Sequence, residues 1–194
     1  MRKLLKRMSP ARIIALGFAA AIFIGSGLLM LPCSVRNGVD LKYIDALYTS
    51  ASAVCVTGLV TVDIGDTFTA FGQFVVAALI QIGGLGVASM VAGVILAVGK
   101  RINLRGRRVL RDAMNLDSGK GIVKFIKSVF LTTAAFELVG AALSFIVFVR
   151  DYPPLKALGI SLFHSVAAFN NSGFDILGNF QSLSAYKEDV FLNP

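Results

Sequence analysis

A run of 33 residues without a charged side chain, from Thr67 to Gly99, constrains the fold of this chain more than any other feature. A membrane-spanning helix needs about 20 apolar residues to cross a hydrocarbon core of about 30 Å. Two further runs are long enough, Ile13–Leu31 and Val129–Val149, and the latter is interrupted only by Glu137. Charged residues make up 15% of the chain, whereas a soluble domain carries about 25%. The sequence therefore predicts an all-α membrane protein.

The net charge of +8 is concentrated in two clusters, which hold 14 of the 19 basic residues. One cluster precedes the first apolar run and the other separates the second run from the third. Their members are Arg2, Lys3, Lys6, Arg7, Arg12, Lys100, Arg101, Arg105, Arg107, Arg108, Arg111, Lys120, Lys124 and Lys127. The positive-inside rule places both clusters, and with them the N-terminus, in the cytoplasm.

Most acidic residues then fall on the outer side. This group contains 8 of the 11 acidic residues, namely Asp40, Asp45, Asp63, Asp66, Asp151, Asp175, Glu188 and Asp189. An acidic outer face raises the local concentration of cations. Nucleic-acid binding is not expected, because Phe125 is the one aromatic residue within the basic clusters and base stacking needs several.

Few side chains suit catalysis or cofactor binding. With one histidine, His164, and two cysteines, the chain cannot supply a Cys/His zinc cluster. Gly83, Gly84 and Gly86 lack the spacing and the βαβ context of a nucleotide-binding loop, so they indicate close helix packing or a kink. We therefore expect no enzymatic activity and no cofactor bound by this chain. His164 is interpreted as a structural residue, and the role of Glu137 is left open.

Two segments too short to span a membrane follow the first and third apolar runs. Tyr43–Ala53 has helical spacing, and Val54–Leu59 after it combines branched residues with a glycine, which favours an extended path. Leu155–Ala168 is likewise followed by the glycine-bearing loop Phe169–Asp175. The order of span, short helix, glycine loop and span thus occurs twice, about 115 residues apart. It predicts a first unit at 1–99, a basic cytoplasmic connection at 100–127, and a second unit at 128–194 that is truncated in its last helix.

A short helix that ends in a glycine loop inside a membrane is suited to holding a cation. Irregular backbone survives at membrane depth only inside protein or along a water-filled cavity. The C-terminal end of a helix carries about half a negative charge, and loop carbonyls replace the hydration shell of an ion. Gly58 and Gly173 supply backbone angles that larger residues avoid. The pattern therefore predicts a cation-conducting pathway.

Three motifs resemble the Trk/Ktr/HKT potassium transporter superfamily, and most closely the membrane subunit of bacterial Ktr systems. They are SAVCVTGL at Ser52–Leu59, QIGGLG at Gln81–Gly86 and HSVAAFNNSGFD at His164–Asp175. The resemblance covers essentially the whole chain and implies four units around one pore. It implies a selectivity filter that binds ions through Val54, Cys55, Val56, Thr57, Gly58, Phe169, Asn170, Asn171, Ser172 and Gly173. The third and fourth filters and the gating loop are missing, so we interpret the chain as a fragment or a truncated product.

The resemblance also implies a function, which is potassium uptake across the bacterial plasma membrane by a multi-pass protein. Potassium is the transported ion, and sodium as a coupling or activating ion is left open. The implied partners are the lipid bilayer, a second copy in a full-length homodimer, and a cytoplasmic nucleotide-binding regulatory subunit. Two alternatives stay open, a secondary transporter of another solute and a non-catalytic membrane assembly protein. The amides of Asn170 and Asn171 are expected to support the filter backbone.

Overall fold

The computed structural model describes residues 9–97, 102, 104–114 and 121–189. These residues form eight α-helices, one 3-10 helix and no strand, and the all-α expectation is confirmed. The helices are α1 (Pro10–Leu29), α2 (Tyr43–Cys55), α3 (Ile64–Thr67), α4 (Ala70–Leu85), α5 (Val87–Ala97), α6 (Leu104–Ala113), α7 (Ile122–Phe148) and α8 (Pro154–Phe169), and the 3-10 helix is Ser184–Tyr186.

Helices α1 and α7 are each long and apolar enough to cross a membrane. Helix α7 begins at Ile122 rather than at the expected Val129, so it contains Lys124 and Lys127. Long basic side chains in the first two turns can extend toward water while their stems stay on apolar surface, and the helix continues through them. The expected basic connection at 100–127 is therefore partly helical, since α6 and the start of α7 lie within it.

The uncharged run Thr67–Gly99 forms two helices instead of one. Helices α4 and α5 meet at Gly86 and are bent by 105° to each other. Gly86 has a φ of 80°, which is in the left-handed region that favours glycine. The expectation that these glycines allow a kink is confirmed, and the bend is sharper than the kink of a single continuous span.

The first spanning helix is fixed to the first short helix by a hydrogen bond between the two. The Ser50 hydroxyl on α2 donates to the Ile22 carbonyl on α1 at 2.8 Å. Gly25 lies at the same crossing, where an added Cβ would lie 2.5 Å from the Ser50 oxygen. The absence of a side chain at Gly25 therefore lets the two helices approach closely.

The same contact recurs 115 residues later, between α7 and α8. The Ser165 hydroxyl donates to the Glu137 carbonyl at 2.6 Å, and an added Cβ at Gly140 would lie 2.5 Å from the Ser165 oxygen. Helix α4 packs against both short helices, α2 and α8, and brings the two helix pairs into one bundle.

The distribution of charge predicts which ends of this bundle face the outside. In a background with Cys33 and Cys55 replaced by serine, a cysteine at exposed Asp40 should react with a membrane-impermeant maleimide added to intact cells. A cysteine at exposed Arg107, on α6, should react only after the cells are opened. Labelling in the reverse order would contradict the predicted orientation.

Candidate functional site

Helix α2 ends in a left-handed cap at the first glycine loop. Val56 has φ 55° and ψ 43°, and its N–H donates to the Ala53 carbonyl at 3.2 Å. The N–H of Thr57 donates to the Ser52 carbonyl at 3.0 Å, and the hydroxyls of these two residues are 2.8 Å apart. The cap gives partners to two carbonyls of the last turn, which would otherwise have none.

Helix α8 ends in the same way at the second glycine loop. Asn171 has a φ of 53°, and its N–H donates to the Ala168 carbonyl at 3.0 Å. The Ser172 N–H donates to the Ala167 carbonyl at 2.9 Å, and its hydroxyl donates to the same carbonyl at 3.2 Å. Each of these groups lies 115 residues after its counterpart in the first loop.

The left-handed conformation is costly at one of the two caps. Asn adopts positive φ several-fold more readily than most residues, whereas a β-branched residue such as Val56 rarely does. Backbone strain of this kind costs roughly 1–3 kcal/mol and clusters at functional sites. The strain at Val56 therefore marks the end of α2 as a site where backbone geometry is imposed by its surroundings.

The glycines Gly58 and Gly173 lie against each other. Their φ angles are 73° and 72°. A Cβ added at Gly58 would overlap the Ser172 carbonyl oxygen and lie 3.1 Å from the Gly173 Cα. A Cβ added at Gly173 would be in ordinary contact, 3.5 Å from the Gly58 Cα. The two loops are thus adjacent, and only the first glycine is required both for conformation and for space.

Some of the expected loop residues lie in helices. Val54 and Cys55 form the end of α2, and Phe169 is the last residue of α8. The expectation of an extended path from Val54 is wrong for its first two residues, because the helix continues until the left-handed cap at Val56. Cys55, Thr57, Asn171 and Gly173 are exposed, while Val54 and Ser172 are buried.

Two glycines of α4 form the surface on which both loops rest. A Cβ added at Gly83 would overlap the carbonyl oxygen of Val54, at the end of α2. A Cβ added at Gly84 would overlap the side-chain oxygen of Asn170, in the second loop. Consecutive glycines thus let α4 approach the ends of both short helices. This agrees with the close helix packing that the sequence predicted for these glycines.

Asn170 is held by the same helix. Its Nδ2 donates to the Gln81 Oε1 at 2.7 Å and to the Val166 carbonyl at 2.8 Å. Asn170 therefore supports the loop through its amide, whereas Asn171 is exposed and sits in the left-handed cap. Sequence reasoning did not single out Gln81 as a functional residue, although it is the one polar side chain of the QIGGLG motif.

Two carboxylates join the segments that follow the two loops. The Asp66 Oδ2 accepts the Asn179 N–H, and the Asp63 Oδ2 accepts the Phe180 N–H, both at 2.7 Å. Asp63 also caps α3, where its Oδ1 accepts the Asp66 N–H at 2.9 Å. The segment after the second loop is therefore tied to the helix that follows the first.

Asp175 lies two residues beyond Gly173 and is half-buried. Burial raises the pKa of its carboxyl group, the hydrogen bond from the Leu177 N–H at 3.0 Å opposes the rise, and the nearby Asp63 carboxylate adds to it. Asp175 thus loses its charge at a higher pH than an ordinary aspartate does.

His164 contacts an aromatic ring. Its ring packs edge-on against Phe148, with centroids 5.8 Å apart. Within the part of the chain that the structure describes, no group of three His, Cys, Asp or Glu side chains is placed to hold a metal ion.

Known proteins of similar sequence are transporters. The Ktr system potassium uptake protein B of Bacillus subtilis (strain 168) is 41% identical over 96% of this chain and 41% of its own length. The potassium/sodium uptake protein NtpJ of Enterococcus hirae is 37% identical over 98% of this chain and 42% of its own length. The Ktr system potassium uptake protein B of Vibrio alginolyticus is 33% identical over 94% of this chain and 39% of its own length. The chain thus spans about two fifths of the length of these relatives.

The family comparison covers almost the whole chain. The match to the TrkH family, described as cation transport protein, extends over residues 8–193. It includes both glycine loops, the glycines of α4 and the helices α1 and α7. The expected resemblance to the Trk/Ktr superfamily is confirmed, and the chain belongs to the TrkH family of cation transport proteins.

Proposed function

We propose that this chain provides two carbonyl-lined filter loops of a potassium uptake pathway in the bacterial plasma membrane. The observation that carries the proposal is the pair of short helices that end in matching left-handed caps, with Gly58 and Gly173 in contact. The names of the relatives support potassium as the ion, because two are named as potassium uptake proteins and one as a potassium/sodium uptake protein.

The proposed chemistry is dehydration and coordination without a covalent step. Carbonyls of Val54–Thr57 and Phe169–Ser172 replace the water around a potassium ion, while the C-terminal ends of α2 and α8 stabilise its charge. The exposure of Thr57 and Gly173 supports this role, because a loop that borders a pathway needs a free face. The acidic residues outside raise the local cation concentration.

The proposed organisation follows the recurrence of contacts at 115 residues. Residues 1–99 form the first unit, 100–127 the connection and 128–194 the second unit, and the paired Ser50 and Ser165 contacts support their equivalence. With the basic clusters in the cytoplasm, the N-terminus lies inside and both loops open toward the outside.

Further parts of the proposal rest on the names of the relatives. The names of the Bacillus and Vibrio relatives refer to a Ktr system, which supports an assembly with other subunits. We infer that these are a cytoplasmic nucleotide-binding regulator and a second copy of the transporter. The name of the Enterococcus relative supports sodium as a further transported or coupling ion.

The proposal predicts unequal effects at the two glycines. In a full-length transporter that carries this segment, Gly58→Ala should reduce rubidium uptake about tenfold or more, because it adds both a left-handed cost of roughly 1–2 kcal/mol and a clash with the Ser172 carbonyl. Gly173→Ala adds only the conformational cost and should have a smaller effect. Uptake into potassium-uptake-deficient cells measures both.

Gly27→Ala is the matched control, since a Cβ there would meet nothing within 4 Å. It should leave uptake unchanged when protein levels are equal. Equal uptake by all three variants would show that Gly58 and Gly173 are ordinary turn residues and would remove the basis of the proposed filter.

The raised pKa of Asp175 predicts a pH dependence of ion affinity. As the pH falls through this pKa, Asp175 is neutralised and the KM for rubidium should rise, at a higher pH than the usual aspartate pKa of about 3.9 would give. Asp175→Asn keeps the turn, because its amide oxygen still accepts the Leu177 N–H. The variant should raise KM about two- to fivefold at low salt and lose this part of the pH dependence.

Asp40→Asn removes the same charge from the connection before α2 and should preserve the pH dependence of KM. A pH profile of Asp175→Asn that matches the unmodified protein would contradict the assignment of this carboxylate to ion capture.

A further inference from the structure

Glu137 is an acidic residue in the middle of the apolar helix α7. Its carboxyl group faces a cavity of about 470 Å³ between α4, α7 and α8. The Gln81 side chain lines the same cavity, and in the described part of the chain Oε1 of Glu137 is a buried acceptor without a hydrogen-bond partner. Ionisable residues within membrane helices are costly and usually functional.

The hydrogen bonds around Gln81 have a defined direction. Its Oε1 already accepts from the Asn170 Nδ2 at 2.7 Å. The remaining hydrogen-bonding group of Gln81 is therefore its NH₂, which can only donate. A carboxylate only accepts, so Glu137 favours the one orientation of Gln81 in which the amide oxygen faces Asn170.

Glu137 also contacts the second short helix through its backbone. Its carbonyl accepts the Ser165 hydroxyl at 2.6 Å, and the ring of neighbouring Phe136 lies against Phe169, with centroids 6.4 Å apart. These contacts fix the position of the Glu137 backbone relative to α8, whose last residue, Phe169, directly precedes Asn170.

The first unit lacks this arrangement. At the positions 115 residues earlier, Ile22 corresponds to Glu137 and Cys55 corresponds to Asn170. The contact of Ser50 with the Ile22 carbonyl is retained, but neither an isoleucine nor a cysteine side chain can form an amide–carboxylate chain. Of the two loops in the described part of the chain, only the second has this polar support.

We propose that Glu137 is a positioning residue that, through Gln81 and Asn170, holds the second glycine loop in its ion-coordinating form. The inference rests on the proposed function of that loop. The cavity beside Glu137 has a mainly apolar lining that includes Phe74, Ala77 and Leu162, so the carboxylate orients a neighbouring amide and does not bind an ion itself.

Replacing Glu137 separates positioning from stability. In a full-length transporter that carries this segment, Glu137→Leu should unfold at the same or a higher temperature, because it removes a carboxyl group from an apolar helix. Its rubidium-over-sodium flux ratio in liposomes should nevertheless fall about three- to tenfold, the size expected when one orienting hydrogen bond is lost. Glu137→Gln should retain most of the ratio, because its amide oxygen still accepts.

Two glutamines on one helix provide the matched comparison. Gln81→Leu should lower the flux ratio as Glu137→Leu does, and the double variant should lower it no further. Gln73 also lies on α4 and lines the same cavity, but its Nε2 donates to the Phe68 carbonyl at 3.1 Å. Gln73→Leu should leave the flux ratio unchanged.

The outcomes distinguish this inference from the proposed function. An unchanged ratio in Glu137→Leu, additive effects with Gln81→Leu, or an equal loss in Gln73→Leu would overturn the positioning role. If Gly58→Ala alters uptake in the same assay while Glu137→Leu keeps its ratio, the filter proposal stands and the inference fails. If neither variant alters transport, the proposed function of the loops is contradicted, and the positioning role that rests on it is contradicted as well.

Discussion

The need to give every backbone polar group a partner inside a membrane governs this structure. Helices α2 and α8 have 13 and 16 residues, fewer than the about 20 that a span needs, and the last carbonyls of a helix have no partner within it. Left-handed residues at Val56 and Asn171 turn the chain back, and the following N–H groups bond to carbonyls of the last turn. The glycine loops are the direct consequence of these caps.

The surrounding helices are arranged to hold these two ends. Gly83 and Gly84 let α4 approach both caps, and the bend at Gly86 turns the chain away immediately afterwards. Asp63 and Asp66 accept backbone N–H groups from the segment that follows the second loop. The loops are therefore fixed from two directions. The second is also held by Gln81, so the two loops differ in side-chain chemistry although their caps match.

The sequence predicted the helices and the position of the loops, because membrane spans and glycines leave strong local signals. The three apolar runs located α1, α4 and α7, and the recurrence at 115 residues matched the two caps. The end of α2 was placed too early, since Val54 and Cys55 are branched or small residues whose helical state depends on the cap at Val56. The contact of Gln81 with Asn170 joins residues 89 positions apart, and periodicity carries no information about such pairs. For the same reason the sequence left Glu137 without a partner.

The central claim is that backbone carbonyls of the two glycine loops coordinate the transported ion. Anomalous scattering from rubidium or thallium, in crystals of a full-length transporter that carries this segment, tests it directly. The account predicts ion density in contact with carbonyl oxygens of residues 54–57 and 169–172, and loss of that density in Gly58→Ala. Ordered ion density that is confined to carboxylate side chains, with none beside either loop, would contradict it.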